Sequence, residues 1–324
     1  MKIAKMDNQD VLLKAVRNKL DKSRSVIEAI AEVLGISYDA AHRRVSQKSK
    51  FSIEETITLC RHYGLSMDAL FAGSKKVIVE KTAEISSLQD MEAYFRHSAD
   101  NIAAFAQYPD AKMYYSAKDI PLFYTIGGTL LSKFKLYVWL NLLSGTQNQG
   151  SFEAFTVDRA LLQHSTRLKD IYEKVEVHEI WNDTTINSTL QQVYYFFQSG
   201  LVSLPNALLL CEDLKAILNT AEDRCCNGQG RFSLYYNELL ILNNNVLLSA
   251  PQQQSLFVPY TMLGYFITED ADTCTNALAF FKHQLRSSKS LNLSGTRDRK
   301  VFFNRAHQKV ELYMQRMQAA TEIF

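Results

Sequence analysis

Arg43, Arg44, Lys48 and Lys50 follow His42 within a stretch that holds no carboxylate. Guanidinium and ammonium groups at that density have one common chemistry, which is to hold phosphate oxygens. Farther along, Lys289, Ser290, Ser294, Arg297 and Arg299 gather cations and hydroxyls near a helix start. Exposed N–H groups and the helix dipole favour an anion at such a place, so these five residues are candidates for anion binding. Other chemistries lack their residues. The glycine patterns of nucleotide-binding loops, the His-Glu-x-x-His zinc pair and the Gly-x-Ser-x-Gly elbow are all missing, and no catalysis is expected. His164 and His178 stand near Glu173, Glu176 and Glu179 on expected helices, but nothing in their spacing sets metal geometry. The cysteines Cys60, Cys211, Cys225, Cys226 and Cys274 are odd in number and form no C-x-x-C pair. Neither a disulfide framework nor a zinc ribbon is supported. No cofactor and no metal are expected.

The elements that must carry the first cation run can be read from the residues around it. Of the 36 Lys and Arg in the 324-residue chain, 14 fall in residues 1–76 against 9 Asp and Glu, while the whole chain carries a net charge of only +2. Basic character is therefore local to the N-terminal part. Val26, Ile30, Val33 and Leu34 make one apolar helical stripe, Gly35 supplies the permissive backbone of a helix end, and Ser37 suits an N-cap. A second helix over 38–46 follows after this tight turn. Small Ala31 and Ala41 stand where the two helices cross, with Ile36 and Val45 filling the interior, which is the physics of a helix-turn-helix. Ser52-Ile53-Glu54-Glu55 reads as a capping box opening a third helix that ends near Tyr63-Gly64. A short last helix over 66–71 closes the segment.

The segment over 25–71 resembles the phage-repressor-like (lambda-repressor or Xre-type) helix-turn-helix family. Ala31, Gly35, Ile36, Ala41 and Val45 stand in its structural positions, and LCRHYGLSMDALF is similar to its closing segment. The resemblance implies a five-helix domain that binds double-stranded DNA. It makes Tyr38, Asp39 and His42 the exposed outer face of the recognition helix, with Ser37 at its N-cap and Arg43 beside them, as base readers. Arg44, Lys48 and Lys50 become phosphate contacts. Tyr38 and Asp39 depart from the family's commoner Gln, Ser or Arg. An Asp there accepts from a cytosine amino group or caps the helix.

The expected organisation is a helix-turn-helix domain over 1–72, a linker over 73–87, a helical dimerisation or sensing region over 88–228 and an α+β region over 229–324. The fold class is mainly α with a small α+β portion. In the last region, strands over 232–241 and 246–249 are expected to form a hairpin across Asn243-Asn244-Asn245, with a third strand within 256–267. Helices over 271–285 and 298–317 follow. Stretch 120–144 is read as a buried helix, since Gly127, Gly128, Lys133, Lys135 and Asn141 interrupt its apolar run. The aromatic clusters around Tyr114 to Trp139, Tyr194 to Phe197 and Tyr235-Tyr236 belong to a core, a dimer interface or a pocket for a small-molecule effector. The first residues show no apolar signal core, so a cytoplasmic setting and no membrane partner are expected. The organisation is similar to that of one-component bacterial regulators, which act as homodimers on two half-sites. The alternative is a helical interaction scaffold that keeps the fold without binding DNA.

Overall fold

The computed structural model describes residues 7–21, 24–71, 77–143, 150–227, 230–292 and 296–321. The chain divides after Ile78 into a small N-terminal unit and a larger C-terminal one.

The N-terminal unit consists of α1 (Asn8–Lys19), α2 (Val26–Leu34), α3 (Tyr38–Val45), α4 (Ile53–Tyr63) and α5 (Met67–Phe71). Each boundary has a local cause. Gly35 ends α2 in the left-handed region at φ +63°, and Ile36 N–H then donates back to the Ala31 carbonyl at 3.0 Å. Two residues later Ser37 starts α3 by accepting from Ala40 N–H. Ser52 and Glu55 close a reciprocal capping box at the head of α4, and Gly64 ends that helix at φ +62°. The apolar stripes meet in a core of Leu12, Leu13 and Val16 from α1, Ile30 from α2, Ala41 from α3, and Leu59 and Cys60 from α4. Ala41 is fully buried, and Ala31, Ile36 and Val45 pack around it half-buried.

The C-terminal unit is built on one mixed eight-stranded sheet, in the order β1 (Glu80–Lys81), β7 (Tyr265–Thr268), β6 (Gln254–Pro259), β5 (Val246–Ser249), β2 (Lys112–Ser116), β3 (Glu176–Trp181), β4 (Phe232–Tyr236), β8 (Lys289–Ser290). Strands β2, β3 and β4 are parallel. Parallel neighbours need long crossovers, supplied by α7 (Leu130–Leu143) and α8 (Arg159–Tyr172), then by α9 (Asn187–Gln198) and α10 (Leu204–Asn227). Helix α6 (Leu88–Ala106) precedes the sheet's centre, and α11 (Ala271–Arg286) and α12 (Thr296–Thr321) end the chain. Alternation along the strands sorts the two faces. Tyr114, Ile180 and Leu247 pack with Cys274 and Phe281 of α11. Met113, Tyr115, Val177 and Leu248 join the main core with the other helices.

Five expectations for this unit need correction. The stretch 88–228 is not helical throughout, since it holds β2 and β3, and His178 lies on β3 rather than on a helix. A sheet that draws strands from both sides of residue 228 also leaves no division there. The strand after Gly230 does not form a hairpin with β5: β4 pairs with β3, and β5 pairs with β2 and β6. Where one strand was expected within 256–267, β6 and β7 form an antiparallel pair. Within 120–144 a 3-10 turn at Leu122–Tyr124 precedes α7. The first of these has a cause in the sequence itself. A strand such as Lys-Met-Tyr-Tyr-Ser, buried on both faces, shows no alternation and cannot be told from a buried helix by periodicity.

One buried charge anchors the parallel strands. Glu179 of β3 is wholly excluded from solvent. Its carboxylate accepts from Trp181 Nε1 at 2.8 Å, from the Tyr124 hydroxyl at 3.3 Å and from the Tyr172 hydroxyl. Arg224 donates to the Tyr124 hydroxyl and lies 4.0 Å from the Phe232 ring centre. Burial pushes the Glu179 carboxyl up from its ordinary value, opposed by these donors and by Arg224. Among the described residues no helix is long and apolar enough to cross a membrane.

Candidate nucleic-acid interface

Helix α3 places Tyr38, Asp39, His42 and Arg43 on its solvent side, with Tyr38 54% exposed. An aromatic ring that open, on a helix whose opposite face is the wholly buried Ala41, lies outside the core of its own unit. Among the described residues, none of these four side chains is engaged in a hydrogen bond, an ion pair or a ring contact. Ser37 is used by the backbone as the N-cap. The outer face of α3 thus offers a phenol, a carboxylate, an imidazole and a guanidinium, a set able to donate to and accept from base edges.

The cations of the run from Arg43 to Lys50 divide into two kinds. Arg43 and Lys48 are exposed and, among the described residues, have no intramolecular partner. Arg44 is held inside the unit instead. Its Nε and Nη2 donate to the Glu55 carboxylate at 2.9 and 2.6 Å, and its Nη1 donates to the Ala40 carbonyl at 3.1 Å. Both side chains are about four-fifths buried. The hydrogen bond from Arg44 holds the Glu55 carboxyl below its ordinary value, and the same contact raises Arg44. Arg44 is therefore a joint between α3 and α4, because the fold brings Glu55 beside it. Lys50 donates to Asp7, and that bond lowers the Asp7 carboxyl. Both partners are well exposed, so water and salt compete with the pair and Lys50 stays available to a stronger anion.

Two residues that the sequence pattern did not single out hold this surface in place. Gln9 of α1 is 6% exposed, and its side-chain amide donates to the carbonyls of Arg44 at 2.7 Å and Ser49 at 3.0 Å. Its carbonyl oxygen accepts from Phe51 N–H at 3.3 Å. One side chain thereby ties down the whole turn from α3 into α4, where Gln47 adopts a left-handed φ of +62°. Glu55 is the second, serving the capping box and Arg44 at once. A signal for Gln9 exists in the sequence: a lone amide aligned with Leu12, Leu13 and Val16 on an apolar stripe has to find buried partners. Nothing local marks Glu55 beyond its cap.

The second candidate group does not converge. Lys289 and Ser290 are committed to β8, in register with Tyr236 and Tyr235. Arg299 donates to the Leu291 carbonyl at 3.3 Å, and Arg297 is exposed in the first turn of α12. Ser294 lies outside the described residues. Elsewhere His164 faces Glu92 at 3.6 Å, and His178 stacks on Tyr114 beside Glu176. Among the described residues no group of His, Cys, Asp and Glu is arranged to hold a metal ion. All five cysteines are free, with Cys225 buried and Cys226 exposed.

No family model, no curated protein and no solved structure matches the chain.

Proposed function

We propose that the chain is a sequence-specific DNA-binding transcriptional regulator, whose N-terminal unit is a five-helix helix-turn-helix domain of the phage-repressor kind. The observation that carries this reading is the exposed, unengaged face of α3 with its short cationic flank. A helix held from behind by Gln9 and by the Arg44–Glu55 pair keeps its orientation while its outer side chains stay free for a groove. Tyr38, Asp39, His42 and Arg43 read base edges, and Lys48 and Lys50 hold phosphates beside them. Such a domain reads two half-sites one DNA turn apart, so two copies act together, and residues 79–324 supply the dimer contact.

Recovery of genomic fragments bound by the full-length chain, followed by titration of the enriched sequence at several salt concentrations, tests the reading. Binding should weaken linearly on a log-log plot, with a slope of about −0.9 for each phosphate contact. Lys48→Ala and Lys50→Ala should each reduce that slope by about one contact, while Tyr38→Ala, His42→Ala and Arg43→Ala should flatten the preference among sequences. Absence of salt-sensitive binding to any fragment returns the chain to the interaction-scaffold alternative.

A further inference from the structure

A cavity of about 430 Å³ lies within the C-terminal unit, between α6 and the face of the sheet formed by β2, β5, β6 and β7. We infer that it is a binding site for an uncharged, largely apolar small molecule carrying one or two hydroxyl, carbonyl or amide groups. This inference does not rest on the DNA-binding reading.

Volume is the first argument. A well-packed interior leaves few voids larger than a water molecule, whereas ligand sites start at about 300 Å³. A space of this size does not arise from imperfect packing alone. The chain creates it by presenting a face of α6 that cannot fill it. Met91, Phe95, Ala99, Ile102 and Phe105 of that helix are buried. The neighbouring stripe is instead Tyr94, His97, Ser98 and Asn101, at the spacing of one helix face, with small Ala93 beside it. Opposite stand Met113, Leu248, Phe257 and Ile267 of the sheet. Phe257 and Ile267 are only half-buried, so apolar surface is left for an occupant to cover.

The polar lining decides the ligand class. Tyr94, Tyr115 and Tyr265 all border the cavity, and each brings a hydroxyl able to donate and to accept. Burial pushes all three phenols up, Tyr265 to about 12, so they remain neutral donors and acceptors. The ions of the lining lie at its rim, where Glu80 is exposed on β1. Lys81 pairs with Glu84 at 2.9 Å, and Asp90 accepts from the hydroxyls of Ser86 and Ser87 while capping α6. Among the described residues Lys81 is the one Lys or Arg of the lining and is already paired, so no such cation is left to compensate an anionic ligand, whose desolvation would go unrepaid.

The walls are held firmly. Phe123 borders the cavity and stacks on Tyr172 with ring centres 4.2 Å apart, and Tyr172 donates to buried Glu179. At the rim, Thr82 N–H donates to the Tyr265 carbonyl at 3.0 Å, and Tyr265 N–H returns a bond to the Thr82 hydroxyl at 2.9 Å. This short strand edge is what an occupant would order further.

Prodan, a neutral naphthyl ketone whose emission shifts to the blue in apolar surroundings, is a direct probe when titrated into the full-length chain. Saturable binding of one molecule per chain is expected, with displacement by 2-naphthol and at least tenfold poorer displacement by 2-naphthalenesulfonate. Ala93→Phe fills the cavity from the α6 side and should weaken prodan at least tenfold. Tyr265→Phe, which keeps the ring and removes only the hydroxyl, should weaken prodan at least threefold without changing displacement by plain naphthalene. If Ala93→Phe fails to fold, Ser98→Leu gives the same filling from the adjacent position. Lack of saturable binding, binding indifferent to both the filling variant and Tyr265→Phe, or a sulfonate that competes as well as the naphthol would overturn the inference.

Discussion

The two units secure their chains by different means. In the N-terminal unit a few buried apolar side chains make the core, and the turn that aims α3 is held by polar contacts: Gln9 on three backbone groups, Arg44 on Glu55, and caps at Gly35, Ser37, Ser52 and Gly64. In the C-terminal unit a continuous core on one face of the sheet does most of the holding, and the principal buried ion, Glu179, sits inside it among aromatic donors. Size explains the contrast. A domain of about 60 residues buries a smaller fraction of its surface than a larger one, so individual hydrogen bonds carry a larger part of its stability. The small unit therefore exposes a rigid surface, whereas the large one has enough core to keep a cavity that opens at its rim.

Both tryptophans, Trp139 and Trp181, lie in the C-terminal unit, so their fluorescence reports on that unit alone. Far-ultraviolet dichroism and amide hydrogen exchange report on both. The largest effect is expected from Glu179→Ala, which strands three buried donors at about 1–3 kcal/mol each. Urea unfolding followed by tryptophan emission should lose about 3 kcal/mol or more, with amide protection in α2 to α4 unchanged. A loss under about 1 kcal/mol would mean that the carboxylate is not the anchor described.

Gln9→Ala should show the opposite pattern. Two backbone carbonyls and one N–H around the α3 turn lose their partner, costing about 2 kcal/mol, read as faster exchange in α3 and α4 with the tryptophan transition unmoved. Next comes Glu55→Ala, at about 1–2 kcal/mol from the lost cap and the orphaned Arg44. Its pH dependence has a definite sign. Glu55 sits below its ordinary value of 4.5, so its contribution is full above about that pH and fades as pH falls through the lowered value. Acidification from pH 6 to 3 should therefore loosen the N-terminal unit less in Glu55→Ala than in the parent chain. The smallest effect is expected from Gly35→Ala. No atom lies within 4 Å of the added methyl, so the cost is the left-handed backbone alone, about 1 kcal/mol. A much larger loss there would show that the turn is held less by Gln9 and more by its glycine than the coordinates indicate.

Legibility in the sequence follows the range of the interactions. Helix ends in the N-terminal unit were readable because their causes lie within four residues: Ser37 accepts from Ala40 N–H, and Ser52 from Glu55 N–H. The exposed face of α3 was readable for the same reason, since the turn before it and the apolar stripe behind it leave one side outward. The Arg44 joint was not, because its partner is eleven residues away on another helix. Strands β2 and β3 were misread as helix, for a strand covered on both faces leaves no period of two. The cavity was foreseen only as one use among three for a surplus of aromatic rings, and its lining comes from segments as distant as Glu80 and Ile267.

By itself the amino-acid sequence determined where helices of the N-terminal unit start and stop, which side of α3 is apolar, and where positive charge concentrates. These depend on backbone conformation and side-chain spacing along one short stretch. Only the tertiary structure decided which cations remain free, which carboxylate is buried, how the strands pair, and that α6 and the sheet border a cavity of about 430 Å³. Those outcomes depend on groups far apart in the chain arriving at one place, where burial and the choice of partner change what each residue can do.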